Sequence, residues 1–183
     1  RITTKLLVGI CFLVINTMQT ATAQTKGNEE LLLKAAYIYN FAKFTRWPES
    51  MWKTKDMPLK LCTAGKDALV DEIQQLHGKI IKGHPVTIHP LKNMQTAKNC
   101  QILYIAASED KNYKDILKAV QGEPVLTISE LPYFARSKGI IELYRGKDQT
   151  YFIISLDVSN KAGLEFSSRL LSLAVVIPEE GAE

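Results

Sequence analysis

Residues 59–78 have the sequence LKLCTAGKDALVDEIQQLHG, in which a short apolar run is followed at once by a helical pattern. The first six residues, Leu59–Ala64, predict a strand. Asp67 is a residue type that caps helices, and three apolar residues then recur at helical spacing until Gly78, which can end a helix. The stretch therefore predicts one strand followed by one helix.

The same alternation continues toward the C-terminus. Strands are predicted at residues 86–89, 102–106 and 125–128, and a helix is predicted at residues 108–121. Strands that alternate with helices form sheets with helices packed on them. The predicted fold class is therefore α/β, a three-layer domain with a mixed, partly parallel sheet flanked by helices.

The last third of the chain predicts a hairpin and a closing helix. Residues 139–144 and 150–156 are apolar segments on either side of a polar turn, so they predict two antiparallel strands that form an edge of the sheet. Residues 157–177 place apolar side chains on one helical face, so this segment predicts a single closing helix.

The N-terminus has the three parts of a signal peptide, namely a basic beginning, a ten-residue apolar run at residues 6–15 and small residues before Gln24. A membrane span, the alternative, requires about 20 apolar residues, roughly twice this run. We therefore expect a signal peptide at residues 1–23, cleaved between Ala23 and Gln24, and one domain at residues 24–183. The protein is then exported to an oxidising compartment.

The charge balance indicates which partners to expect. The formal net charge of the full chain is +4, and the predicted signal peptide contains two of the basic residues, Arg1 and Lys5, and no acidic one. The mature domain therefore has a net charge of +2, which gives no reason to expect a nucleic-acid partner.

Two cysteines, Cys62 and Cys100, remain after the predicted cleavage. A single pair in an exported domain predicts a disulfide, and two buried free thiols are the alternative. One conflict arises, because Cys62 lies near the end of its predicted strand and Cys100 lies just before its own. Simple parallel neighbours would hold these residues at opposite ends of the sheet, so a register shift, an antiparallel pairing or a wrong strand assignment is expected to resolve the conflict.

No catalytic or metal-binding motif is recognisable in the sequence. A glycine-rich phosphate loop and a nucleophile elbow are both missing. His77, His84 and His89 lack the spacing of three or four residues that ligands on one helix face require. The expectation is a protein without enzymatic activity, metal or cofactor.

The segment 31–47 predicts a helix that is capped by Asn28 and stopped by Pro48. Its apolar and aromatic positions exceed the single stripe that an amphipathic helix buries. The helix is therefore either deeply buried or partly offered to a partner. Four aromatic residues are candidates for partner anchors, with the others in the core: Tyr37, Phe41, Phe44 and Trp47.

Several blocks resemble the YfiR family of periplasmic proteins over nearly all of the predicted mature chain. The most specific are KAAYIYNFAKFTRWP at residues 34–48, which is similar to the opening helix of the family, and SSRLLSLA at residues 167–174. Between these two blocks, CQILYI at residues 100–105 and VLTIS at residues 125–129 also resemble the family and occur in the same order.

The resemblance implies a regulator without catalytic activity that binds and represses the periplasmic part of an inner-membrane diguanylate cyclase, YfiN. Repression lowers cyclic di-GMP and biofilm formation, and a lipoprotein, YfiB, sequesters the repressor. The structural cysteine pair of the family falls on Cys62 and Cys100. The alternative function that stays open is a periplasmic small-ligand-binding module that serves another membrane sensor such as a histidine kinase. Among partners, a second copy of the chain in a homodimer is a further candidate.

Overall fold

A computed structural model describes residues 27–147 and 149–178 of the chain. The predicted signal peptide, with its cleavage site at Ala23 and Gln24, lies outside the described residues. In the described part, no helix is both long enough and apolar enough to cross a membrane.

The first helix, α1, occupies residues 27–44, so it already includes Asn28, which is a helical residue and not the cap. The other helices are α2 (Ala68–Ile73), α3 (Tyr113–Ala119), α4 (Leu156–Lys161) and α5 (Ser168–Leu171). The strands are β1 (Thr45–Arg46), β2 (Leu59–Ala64), β3 (Ile80–Ile81), β4 (His84–Pro90), β5 (Ile102–Ile105), β6 (Leu126–Ser129), β7 (Ile141–Arg145), β8 (Thr150–Ser155), β9 (Glu165–Phe166) and β10 (Val175–Ile177).

One mixed sheet organises the domain, with the strand order β10-β8-β7-β6-β5-β2-β4-β3 among the described residues. The pairs from β4 through β2, β5 and β6 to β7 are parallel, while β7 and β8 form the expected antiparallel hairpin. The α/β class with a mixed sheet is therefore confirmed.

Alternating side chains of the central strands enter two hydrophobic clusters, one on each face of the sheet. Ile102 and Tyr104 belong to the larger cluster with the buried residues of α1, whereas Leu103 and Ile105 belong to the smaller one with α3. Because neighbouring residues of a strand point to opposite faces, helices cover both faces of these strands. This arrangement is the predicted three-layer architecture.

The helix α1 ends earlier than its sequence predicts. Pro48 does not terminate it, because the chain leaves the helix after residue 44 and forms β1, which pairs with β9 in an antiparallel ribbon. The hydroxyl of Thr45 donates to the carbonyl of Phe41 at 2.7 Å and so occupies one of the last carbonyl groups of the helix.

The prediction of one closing helix over residues 157–177 was wrong. Gly163 has a φ of +66°, a left-handed conformation that ends α4, and the hydroxyl of Ser167 then accepts from the Leu170 N–H and caps α5. The β-branched run Val175–Ile177 is a strand that pairs in parallel with β8. The outermost strand on this side is therefore β10 and not the hairpin.

A disulfide joins Cys62 to Cys100, and the distance between their Cα atoms is 5.9 Å. The strands β2 and β5 are parallel neighbours, with Leu61 opposite Ile102. Cys100 lies outside β5, at the C-terminal cap of a short 3₁₀ helix, Met94–Asn99, where the chain turns before it enters the strand. This turn resolves the conflict seen in the sequence, and none of the three expected explanations is needed.

Candidate partner-binding surface

Aromatic side chains fix α1 and the segment that follows it to the sheet. Phe41 is fully buried, and its ring centroid lies 4.9 Å from that of Phe152 on β8. Trp47 is 4% exposed, and its Nε1 donates to the carbonyl of Gln101 at 3.3 Å. Two of the four candidate anchors, Phe41 and Trp47, are therefore core residues in this conformation.

The other two candidates lie on an exposed side of the same helix. Tyr37 and Phe44 are half-buried and pack against the edge of the larger cluster, and Leu33 is 46% exposed. Successive helical residues are rotated by about 100°, so these three side chains lie within about 40° of one another. We call Leu33, Tyr37 and Phe44 the α1 flank.

An ion cluster that the sequence did not predict holds the first turns of α1. Lys34 Nζ lies 2.8 Å from Glu30 Oε1 and 2.5 Å from Glu130 Oε1, and Arg145 of β7 pairs with the other oxygen of Glu30. Only the Glu30–Lys34 spacing of four residues is visible in the sequence. The contacts to Glu130 and Arg145 depend on the fold, so no local pattern could have shown them.

The protonation of this cluster follows from its geometry. The hydrogen bond from Lys34 lowers the pKa of Glu30, and the charges of Lys34 and Arg145 act in the same direction against the opposing effect of burial. Burial alone would lower the pKa of Lys34, but the two carboxylates outweigh it and raise the pKa overall. Both groups are therefore held in their charged forms.

The carboxyl ends of β2 and β5 form the place where ligands bind in many α/β proteins. Here Asp67 fills that place, because its carboxylate caps α2, accepts from the hydroxyl of Tyr104 at 2.9 Å and accepts from the Ala107 N–H at 3.2 Å. Burial and the nearby charge of Asp67 raise the pKa of Tyr104. These groups satisfy one another, so they indicate a structural role.

The histidines have separate environments. His84 stacks on Trp52 with ring centroids 3.9 Å apart, and its Nδ1 lies 2.7 Å from the carbonyl of Met57. Burial lowers the pKa of His89, and the charges of Lys60 and His77 act in the same direction. Across residues 27–147 and 149–178, no group of three or more His, Cys, Asp or Glu side chains is placed to hold a metal ion.

The chain is therefore an α/β domain with a partly exposed apolar flank on α1 and with buried polar groups that satisfy one another. Comparison with protein families identifies the family, because the YfiR/HmsC-like family profile matches residues 32–175. The chain belongs to this family, whose members are periplasmic, non-catalytic regulators of cyclic di-GMP signalling. No individually characterised protein matches the chain at a significant level.

Proposed function

We propose that this protein binds and represses the periplasmic portion of an inner-membrane diguanylate cyclase, YfiN-like, and thereby lowers cyclic di-GMP and biofilm formation. Membership in the YfiR/HmsC-like family supports the regulatory class. The observation that supports binding through this surface is the α1 flank, in which Leu33 is 46% exposed and Tyr37 and Phe44 are half-buried on a helix that packs against the core.

The α1 flank has the composition of an interface centre. Tyrosine, phenylalanine and leucine side chains supply apolar area, and tyrosine is among the residues enriched at binding hot spots. The helix beneath the flank is already ordered by Phe41 and by the ion cluster of Lys34. Binding therefore requires little further ordering of the backbone, which reduces its entropic cost.

Apolar contact, rather than charge, provides the binding energy in this proposal. After removal of a signal peptide at residues 1–23 the net charge is +2, which is too small to accelerate association strongly by electrostatic steering. In the same proposal a YfiB-like lipoprotein sequesters the repressor and releases the cyclase. The exported protein begins at Gln24, and the intact mass of periplasmic material tests this start.

The test compares residues of one helix that differ in exposure. Tyr37→Ala and Phe44→Ala should raise cellular cyclic di-GMP toward the level of a gene deletion while the protein stays folded. Their melting temperatures should fall less than that of Phe41→Ala, because both side chains are only half-buried, although Tyr37 also contacts the rings of Phe41 and Phe152. An anchor truncated at an interface centre costs about 2 kcal/mol or more of binding free energy. Purified variants should then bind the periplasmic part of the cyclase at least about 30-fold more weakly.

Tyr39→Ala is the matched control. Tyr39 is also half-buried, lies two residues from Tyr37 and is rotated by about 200° from it, so it projects from the other side of the helix. This variant should keep repression. Equal loss of repression in the Tyr37 and Tyr39 variants would reject the α1 flank as the interface. Unchanged cyclic di-GMP after deletion of the whole gene would reject the cyclase as the target.

A further inference from the structure

A cavity of about 280 Å³ opens between α3 and α4, next to the starts of β6 and β7. It is distant in sequence from the α1 flank and shares no residue with it. The interior is lined by aliphatic side chains and contains no aromatic ring: Leu117, Val120, Val125, Ile140, Val158 and Ala162. Such a lining suits a flexible hydrocarbon chain.

The polar groups inside the cavity already have partners. The hydroxyl of Thr127 accepts from the Ile140 N–H at 3.0 Å, and the hydroxyl of Tyr113 donates to that of Ser137 at 3.3 Å. No buried side-chain nitrogen or oxygen among the described residues lacks a hydrogen-bond partner. The polar groups inside the cavity therefore offer a ligand no free hydrogen-bond partner, and the buried part of the ligand should be apolar.

The rim of the cavity is basic. It carries Lys114, Lys118, Lys138 and Lys161 against two acidic residues, and one of these, Asp157, is paired with Lys161 at 2.6 Å. Within the part of the chain that the structure describes, neither Lys118 nor Lys138 lies within salt-bridge distance of a carboxylate. The rim therefore has an excess of positive charge at the opening of an apolar space.

The position of Lys138 at the rim follows from the local backbone. Lys138 is the C-terminal cap of the 3₁₀ helix Ala135–Ser137, and its φ of +74° lies in the left-handed region that is common where helices end. This turn places the lysine at the opening of the cavity.

We propose that this cavity binds a medium-chain fatty carboxylate, with its alkyl chain inside and its carboxylate among the rim lysines. A cavity of about 150 Å³ can hold a benzene ring, so 280 Å³ corresponds to on the order of ten carbon atoms. The excess of lysine favours a ligand with an anionic head group, and the aliphatic walls favour an alkyl chain. The site is separate from the proposed cyclase interface.

Calorimetric titration of the purified mature protein with hexanoate, octanoate and decanoate tests the proposal directly. Each buried methylene contributes about 0.8 kcal/mol, which is about fourfold in affinity, so decanoate should bind about 16-fold more tightly than octanoate. Decan-1-ol and decylammonium, which lack the negative charge, should bind more weakly than decanoate. Equal affinity along the chain series, or equal affinity for decan-1-ol, would overturn the proposal.

Substitutions at the rim separate specific binding from adsorption. The double variant Lys118→Gln/Lys138→Gln should bind decanoate about two- to thirtyfold more weakly, because each of two exposed charge pairs contributes about 0.2–1 kcal/mol. Lys79→Gln/Lys98→Gln, which removes two exposed lysines outside the cavity, is the matched control and should bind normally. An equal loss in both double variants would show non-specific attraction and would refute the site. No cyclase is needed, so this result is independent of the proposed function.

Discussion

The two faces of the sheet are filled in different ways. On the α1 face, large aromatic residues such as Phe41, Trp47 and Tyr104 fill the core completely, and the surplus apolar side chains remain outside as the α1 flank. On the α3 face the core is smaller and mostly aliphatic and contains the disulfide. The cavity lies where the two clusters meet, because it is lined by Leu117 and Val125 of the smaller cluster and by Ile140 and Ala162 of the larger one. The surplus of apolar area on α1 favours a protein partner, whereas the incomplete packing between the clusters favours a small ligand.

Truncation of the α1 core should have the largest effect on stability. Phe41→Ala removes a fully buried ring that contacts Tyr37 and Phe152, so we expect the free energy of unfolding to fall by about 3–5 kcal/mol. Urea denaturation gives the value. Phe44→Ala should lower the free energy of unfolding by clearly less than Phe41→Ala. Equal losses in the two variants would mean that the flank and the buried side of α1 do not differ in packing.

Removal of the disulfide should have the next largest effect, and it should act on the α3 face. Cys62 and Cys100 close a loop with a sequence separation of 38, so their replacement by alanine should lower the free energy of unfolding by about 2–4 kcal/mol. Reduction of the wild-type protein should lower its free energy of unfolding by a similar amount. The same reducing treatment should not change the free energy of unfolding of the double variant. A double variant as stable as the wild type would show that the bond contributes nothing to this face.

Added volume should distinguish the packed part of the larger cluster from the wall of the cavity. Ala35 of α1 and Ala162 at the end of α4 both belong to that cluster and are equally buried, at 5% exposure, but only Ala162 lines the cavity. Ala35→Leu should destabilise by about 1–3 kcal/mol, because no space is present for the larger side chain. Ala162→Leu should be neutral or stabilising and should weaken decanoate binding. Thermal denaturation of both variants checks the contrast, which fails if the two leucines cost the same.

Acid should weaken the α1 face by a smaller amount. The folded-state pKa of Glu30 lies below its usual value of about 4.5, so its contribution is present above that pH and is lost as the pH falls through the lowered pKa. We expect about 1 kcal/mol from this ion pair. Stability curves of the wild type and Glu30→Gln between pH 7 and pH 3 should converge at the acid end. Parallel curves would assign the acid sensitivity to other groups.

The local signals in the sequence predicted most of the central sheet. The strands β2, β4, β5 and β6 and the β7–β8 hairpin follow from apolar runs, turn residues and caps, because these features act over a few neighbouring residues. The end of the chain could not be predicted in this way. Leu164, Leu171 and Ala174 have helical spacing, yet Gly163 breaks the helix and Val175–Ile177 depends on pairing with the distant β8.

The candidate site was only partly predictable for the same reason. The aromatic density of α1 indicated a surplus of apolar area, but the spacing alone could not assign Phe41 and Trp47 to the core and Tyr37 and Phe44 to the surface. Which of these aromatic residues are buried depends on which side of α1 contacts β8. The cavity likewise forms between α3 and α4, which are separated by three strands in the sequence and meet only in the folded chain.

The ribbon of β1 and β9 has a consequence for the synthesis of the chain. Thr45 pairs with Phe166, and the Ser167 N–H donates to the carbonyl of Phe44, so the end of α1 is secured by residues that a ribosome adds more than a hundred positions later. Until then the end of α1 lacks the strand that secures it, and until β8 is made Phe41 also lacks the ring of Phe152. Contacts so distant in sequence form slowly, and exposed apolar surface promotes aggregation in the meantime. The nascent protein should therefore depend on a holding chaperone for longer than a chain of similar length whose first helix packs against its immediate neighbours.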